Sequence, residues 1–284
     1  MSDLHTTNIK ALAANRKVVV ALLLFLGLSA AGIYQHLWKV TAISWIAFGA
    51  MALALPLGYS QRDKESLTGL ISGYGLSSGA MITSACIFLV PAAIGHHPIY
   101  GGLGIAFGVM AGYAIHSLTH NLTHHTAFTA PIVLELSVHA LMAGLIIGSV
   151  YAAMPKLGLL LGIAIVSHKS PAGYAGARRL AQRNLSILPM LVPACAVGLT
   201  ALPVSMLPFP EHAITNALVF GFATGVFVHV AIDFLPECEI GGEIFQHAPP
   251  DSITHHKLDA YRRRAVLMTF AGGAIVVALW ALLS

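Results

Sequence analysis

A chain of 284 residues that is 57% apolar, with only 9% Asp, Glu, Lys and Arg, falls far short of the about 25% charge of a soluble domain. Its polar side chains are too few to face water all round, so lipid must cover much of the surface, in keeping with a mean hydropathy of +0.79. The net charge of +4, from 15 basic and 11 acidic residues, comes without a Lys/Arg stripe interleaved with aromatics, which argues against a nucleic-acid partner.

A spanning helix needs about 20 apolar residues. Nine runs qualify: 17–36, 40–59, 69–94, 99–118, 129–151, 157–178, 186–206, 214–236 and 263–283. They are too long for barrel strands, and only helices satisfy the backbone internally in hydrocarbon. The expected fold is an all-α, polytopic membrane bundle. Residues 1–16 form a polar tail and 17–284 a single transmembrane domain. The first run could be a signal peptide, with Ser29-Ala30-Ala31 as a poor cleavage site, but its length and 16-residue polar leader favour a retained anchor. Two longer connections interrupt the runs, a His-rich loop over 116–128 and a loop over 238–262. Cys86, Cys195 and Cys238 have no CxxC spacing and form no evident disulfide framework.

Basic residues set the orientation. With the N-terminus in the cytoplasm, every Lys and Arg except Lys39, Lys156 and Lys169 falls inside. The odd number of spans then puts the C-terminus outside, in the cytoplasmic (inner) membrane.

Polar residues inside these runs are costly, about 2.5–3.5 kcal/mol each for a charge at mid-membrane, and so point to function or to helix–helix pinning. In the fifth run Glu135 and His139 are spaced i,i+4 and share a helix face. That pair suits a divalent metal or a proton relay, against the plainer reading of an interhelical hydrogen bond. The sixth run carries His168-Lys169-Ser170-Pro171. Pro171 opens the helix there, and Lys169 requires a counter-charge, for which Glu135 is the nearest candidate. In the eighth run His229, Asp233 and Glu237 repeat every four residues as one polar stripe toward the inner surface. His116, His120 and His124, with His125, form an imidazole-rich stretch that can capture metal loosely, or a merely solvated loop. Met81, a soft thioether in the third run, can serve a transition metal, although most such methionines are core packing.

Four of these stretches in order resemble the ZIP (Zrt/Irt-like) family of divalent-metal permeases, its prokaryotic branch above all. They are Ser78-Gly79-Ala80-Met81 through Val90-Pro91-Ala92, His139 through Ala143-Gly144 to Gly148, His168-Lys169-Ser170-Pro171-Ala172-Gly173, and His229 through Pro236-Glu237. The likeness runs from about residue 40 to the C-terminus, which makes 17–36 a leading helix before an eight-helix core. It implies a midplane metal site, often binuclear, between the fifth and sixth runs. His139, His168 and Pro171 match that pattern, but the positions of the two bridging glutamates are Ala143 and Ala172, and a further ligand position is Lys169. A standard binuclear centre is therefore not expected.

The reading that follows is a permease, not an enzyme, with no resident cofactor. It moves a divalent transition-metal ion, zinc first, into the cytoplasm by alternating access. The metal-site residues are His139, His168, Glu135 and Met81. Lys169, Pro171, His229, Asp233 and Glu237 line the pathway, and the His116–His125 stretch captures metal on the inner side. Lipid is the constant partner, and a homodimer is compatible with the sequence. The competing readings are a non-transporting metal sensor or scaffold, a permease for a different solute, and, weakest, an intramembrane hydrolase using His116, His120, His229 and Asp233.

Overall fold

The computed structural model describes residues 2–62, 67–125, 131–153, 159, 162, 168–208, 212–233, 235–236 and 255–283, without the side chains of 2–15, 116, 119–125, 131, 135, 255–257 and 283. These residues form nine helices and no strands. They are α1 (Ser2–Tyr34), α2 (Trp38–Ser60), α3 (Thr68–His96), α4 (Pro98–His125), α5 (Pro131–Ala153), α6 (Lys169–Gln182), α7 (Leu191–Ser205), α8 (Ala213–Asp233) and α9 (His255–Leu283). All but α6 carry a stretch long and apolar enough to cross a membrane, α7 together with the 3-10 turn Leu188–Met190 that precedes it. The sixth expected run is described only in part, and its described half is the 14-residue α6.

Helices outrun the apolar stretches at several ends. α1 begins at Ser2, so the expected tail is helical, and α9 starts at His255, inside the expected inner loop. α4 continues to His125, so most of the expected His-rich loop is helix. Nothing stops a helix where hydropathy falls, because its hydrogen bonds are internal and no Gly or Pro intervenes. The stops that do occur have local causes. His36 and Asn184 take left-handed φ values of 60° and 55°. Each closes a Schellman turn, with Leu37 N–H donating to Gly32 O at 2.8 Å and Leu185 N–H donating to Leu180 O at 2.9 Å. Inside α3, Ala85–Leu89 is a π turn just before Pro91. The widened turn relieves the clash between the proline ring and the preceding carbonyls.

The outer surface is apolar. Leu53, Leu57, Phe107, Phe270 and Leu282 all stand exposed, an arrangement natural against lipid and unfavourable against water. Trp38 and Tyr59, exposed at opposite ends of α2, are about 31 Å apart at 1.5 Å per residue. That matches the roughly 30 Å hydrocarbon core of a bilayer, at whose edges aromatics gather.

Without a hydrophobic force between helices in lipid, close approach depends on small residues. The tightest pair, α4 with α8, follows this rule. A Cβ on Gly104 or Gly108 would strike the backbone of Leu218 or Phe222, and one on Gly221 or Gly225 would strike Gly101 or Ile105. Gly79 and Gly272 do the same for α3 with α9, Gly144 and Gly148 for α5 with α7, and Gly58 and Gly173 for α2 with α6. The contacts divide the helices into two bundles. One holds α1, α2, α5, α6 and α7, the other α3, α4, α8 and α9; among the described residues fewer contacts, chiefly of α3 with α6 and of α5 with α4 and α8, join them, across one apolar core to which both contribute.

The basic loops gather at one end. Gln182 Nε2 donates to Arg62 O at 3.2 Å, and Arg264 Nε donates to Ser72 Oγ at 2.8 Å. The α2–α3 turn, the end of α6 and the start of α9 therefore lie together, while the α1–α2 turn with Lys39 is at the far end of α2.

Candidate functional site

Two imidazoles meet inside the first bundle. His139 lies in the body of α5 and His168 is the N-cap residue of α6. Their Nε2 atoms are 3.2 Å apart, their ring planes stand at 89°, and their centroids are separated by 5.3 Å. His168 is 1% exposed. The local sequence explains the placement. Pro171 stands in the first turn of α6, where its missing N–H costs nothing, and this permits the chain to start a helix at Lys169. Gly173 then packs on Met51 of α2 and Gly176 against Leu136 of α5. Residues 168, 172 and 176 share one face, which directs His168 toward α5.

The pair can act in two ways. As a hydrogen bond, one Nε2–H donates to the other Nε2, and the two rings share one proton. As ligands, two imidazoles bound to one tetrahedral ion at about 2.0–2.1 Å place their nitrogens about 3.3–3.4 Å apart. The observed 3.2 Å separation is within a few tenths of an ångström of that arrangement.

Around the pair, the positions where the resemblance expects carboxylates are small and buried. Ala143 is 8% exposed and Ala172 is 3% exposed. Met81 is fully buried in the same apolar cluster as Ala140, the residue after His139. Lys169 is also buried, at 2% exposure. It precedes Gly173 by one turn, so it lies on the α2-facing side of α6, about 100° around the helix from His168. Pro171 faces Gly73 of α3, at the contact between the two bundles. The side chain of Glu135 lies outside the described residues, as do those of His116, His120, His124 and His125, and so does Glu237 altogether.

The eighth run's stripe is a separate feature. His229 Nε2 lies 3.1 Å from Asp233 Oδ2. The His229 ring rests where a side chain at Gly112 of α4 would stand, edge-on to Tyr113. The pair thus sits at the end of the glycine-lined contact of α4 with α8. Among the described residues no three His, Cys, Asp or Glu side chains converge, so His229 and Asp233 do not join His139 and His168 in one cluster.

Two buried polar residues here escaped the sequence reading. Arg178 of α6 is 2% exposed, although it belongs to a basic stretch that reads as a loop end. Ser78 Oγ donates to Ala231 O of α8 at 2.6 Å, an interhelical bond between two apolar segments. A clue to the second existed, since a pair of serines (Ser77 and Ser78) in an apolar helix calls for backbone acceptors. No signal marked the first.

No family model matches the chain, and no curated protein matches it either.

Proposed function

We propose that the chain is a multi-pass membrane permease of the ZIP type, carrying a divalent transition-metal ion between the sides of the inner membrane. The observation that carries this reading is the meeting of His139 and His168, two imidazoles from different helices at the spacing of co-ligands, in the interior of an apolar bundle. Imidazole donors suit zinc and the later first-row divalent ions, and zinc is the first choice. The four ordered motifs and the leading helix before an eight-helix core agree with it.

In this reading the ion passes between the two bundles. Glycine-lined packing holds each group internally, and fewer contacts join the two across a shared apolar core; relative sliding of the two groups is the motion this reading invokes. His139 and His168 ride on the first bundle. Alternating access follows when that bundle shifts along the second and exposes the pair to one side and then the other. The basic end of the molecule faces the cytoplasm, and transport runs inward.

The experiment is zinc uptake into proteoliposomes. The wild-type chain accumulates zinc inside the vesicles. His139→Ala and His168→Ala each lower the initial rate at least about tenfold. A chain that binds zinc but accumulates none is a sensor or scaffold, and the permease reading then fails.

A second reading is supported by Lys169, Ala143 and Ala172, a cation and two alanines where metal-binding acids are expected. It is the same scaffold carrying a solute other than a metal cation. Competition of zinc uptake by candidate solutes separates the two.

A further inference from the structure

Among the described spans α9 is the least buried, and it packs chiefly on α3. Beside that contact runs an open groove of about 640 Å³. Gly79, Ile82 and Thr83 of α3 form one wall, and the other is the α9 stripe from Thr269 through Gly273 and Ala274 to Ala281. Its only side-chain polar groups are the hydroxyls of Thr83 and Thr269, and that of Thr269 donates back to Ala265 O at 2.9 Å. A groove of this lining accepts hydrocarbon and rejects ions.

The same face of α9 turns basic at one end. Arg262 and Arg263 precede Thr269 and Phe270 by seven residues, or two turns, and so lie on the groove's side of the helix. Both are exposed. Asp259 balances one of these charges, with Oδ1 3.3 Å from Arg262 Nη1. Arg264 donates to Ser72 Oγ of α3 at 2.8 Å, which joins the two groove walls at this end. Phe270 lies about 10 Å along the axis from Arg263. The chains of one leaflet run about 15 Å, half of the hydrocarbon core. A chain whose head group sits at Arg263 therefore passes the exposed Val266, enters the groove at Phe270 and ends beside Gly273.

A membrane offers this face a helix or a lipid. A second copy related by a two-fold axis along the membrane normal would set Arg262 and Arg263 beside their own equivalents. It would also bring Phe270, 76% exposed, into a contact that demands small residues. An anionic lipid meets the arginines with a phosphate, and its flexible chain bends around the ring.

We propose that the flank of α3 and α9 binds one anionic phospholipid from the leaflet at the basic end, with its phosphate at Arg262 and Arg263 and an acyl chain in the groove. The site shares no residue with the imidazole pair and does not depend on the metal reading.

The test titrates the purified full-length protein, in a neutral detergent without zinc, with dioleoyl phosphatidylglycerol or dioleoyl phosphatidylcholine. The unfolding midpoint reports binding, because a ligand of the folded state raises it saturably. Native mass spectrometry counts retained lipids and copies of the chain. The expected result is a saturable rise with phosphatidylglycerol, at a half-saturation about tenfold or more below that of phosphatidylcholine. The double substitution R262Q/R263Q removes that difference. Arg183→Gln, an exposed arginine at the same end but on α6's side, retains it. Ala274→Phe fills the groove and weakens phosphatidylglycerol about tenfold or more. Ala274 and these arginines are exposed, so the substitutions leave the core packing in place. Equal responses to the two lipids overturn the proposal. So does a loss in Arg183→Gln as large as in the double variant, since binding is then diffuse attraction to the basic end. An unchanged response in Ala274→Phe overturns it too, because the head group then binds without the groove. A wild-type dimer that Ala274→Phe dissociates overturns it as well, since a second copy then fills the groove.

Discussion

His139 of α5 and His168 at the head of α6 touch through their Nε2 atoms at 3.2 Å, although 29 residues separate them in the chain. An apolar bundle gains nothing from bringing two imidazoles together unless they share a proton or an ion.

Ala143 follows His139 by one helical turn and is 8% exposed, so it shares the face that meets α6. Ala143→Glu adds a carboxylate to the same face and raises the charge of the donor set. Zinc affinity of the purified protein is expected to increase at least about tenfold, as an added anionic ligand stabilises a divalent ion. Isothermal titration checks it, and unchanged affinity would place the ion elsewhere.

Ser78 donates its hydroxyl proton to Ala231 O at 2.6 Å across α3 and α8, in a fully buried setting. Ser78→Ala leaves that contact unmade and is expected to cost about 0.5–1.5 kcal/mol. Because Ser78 supplies no metal donor in this reading, zinc binding should not change. Unfolding in detergent reads the first effect and titration the second.

Gly225 of α8 is packed so closely on Ile105 of α4 that even a Cβ would strike the backbone carbonyl. Gly225→Leu must part the two helices, and the expected destabilisation is about 1–3 kcal/mol. Gly27 has open space around its Cα, and Gly27→Leu, facing lipid, should be close to neutral. The contrast between the two midpoints tests whether glycine packing or glycine content matters.

Much of the architecture is legible in the sequence because hydropathy is strong. Eight of the helices carry the apolar stretches expected of them, and the basic end of the bundle follows from where Arg62, Arg178, Arg179, Arg183 and Arg262 fall along the chain. Helix ends were less legible, because internal hydrogen bonding lets α1, α4 and α9 run past the apolar stretch. Which helices pair was not legible at all. Pairing depends on which face of each helix bears glycine, as at Gly108 against Phe222, and facing surfaces leave no mark on a hydropathy profile. At the site, His139 and His168 stood out because imidazoles are costly in apolar helices. The direction of Lys169 toward α2 depended on Gly173 packing against Met51, and the burial of Arg178 depends on tertiary contacts that its basic neighbours conceal.

Anomalous scattering from crystals soaked in zinc tests the central claim most directly. The account predicts a peak within about 2.0–2.1 Å of Nε2 of both His139 and His168, lost in His168→Ala. Zinc uptake by the same protein with no anomalous density between those rings would contradict it.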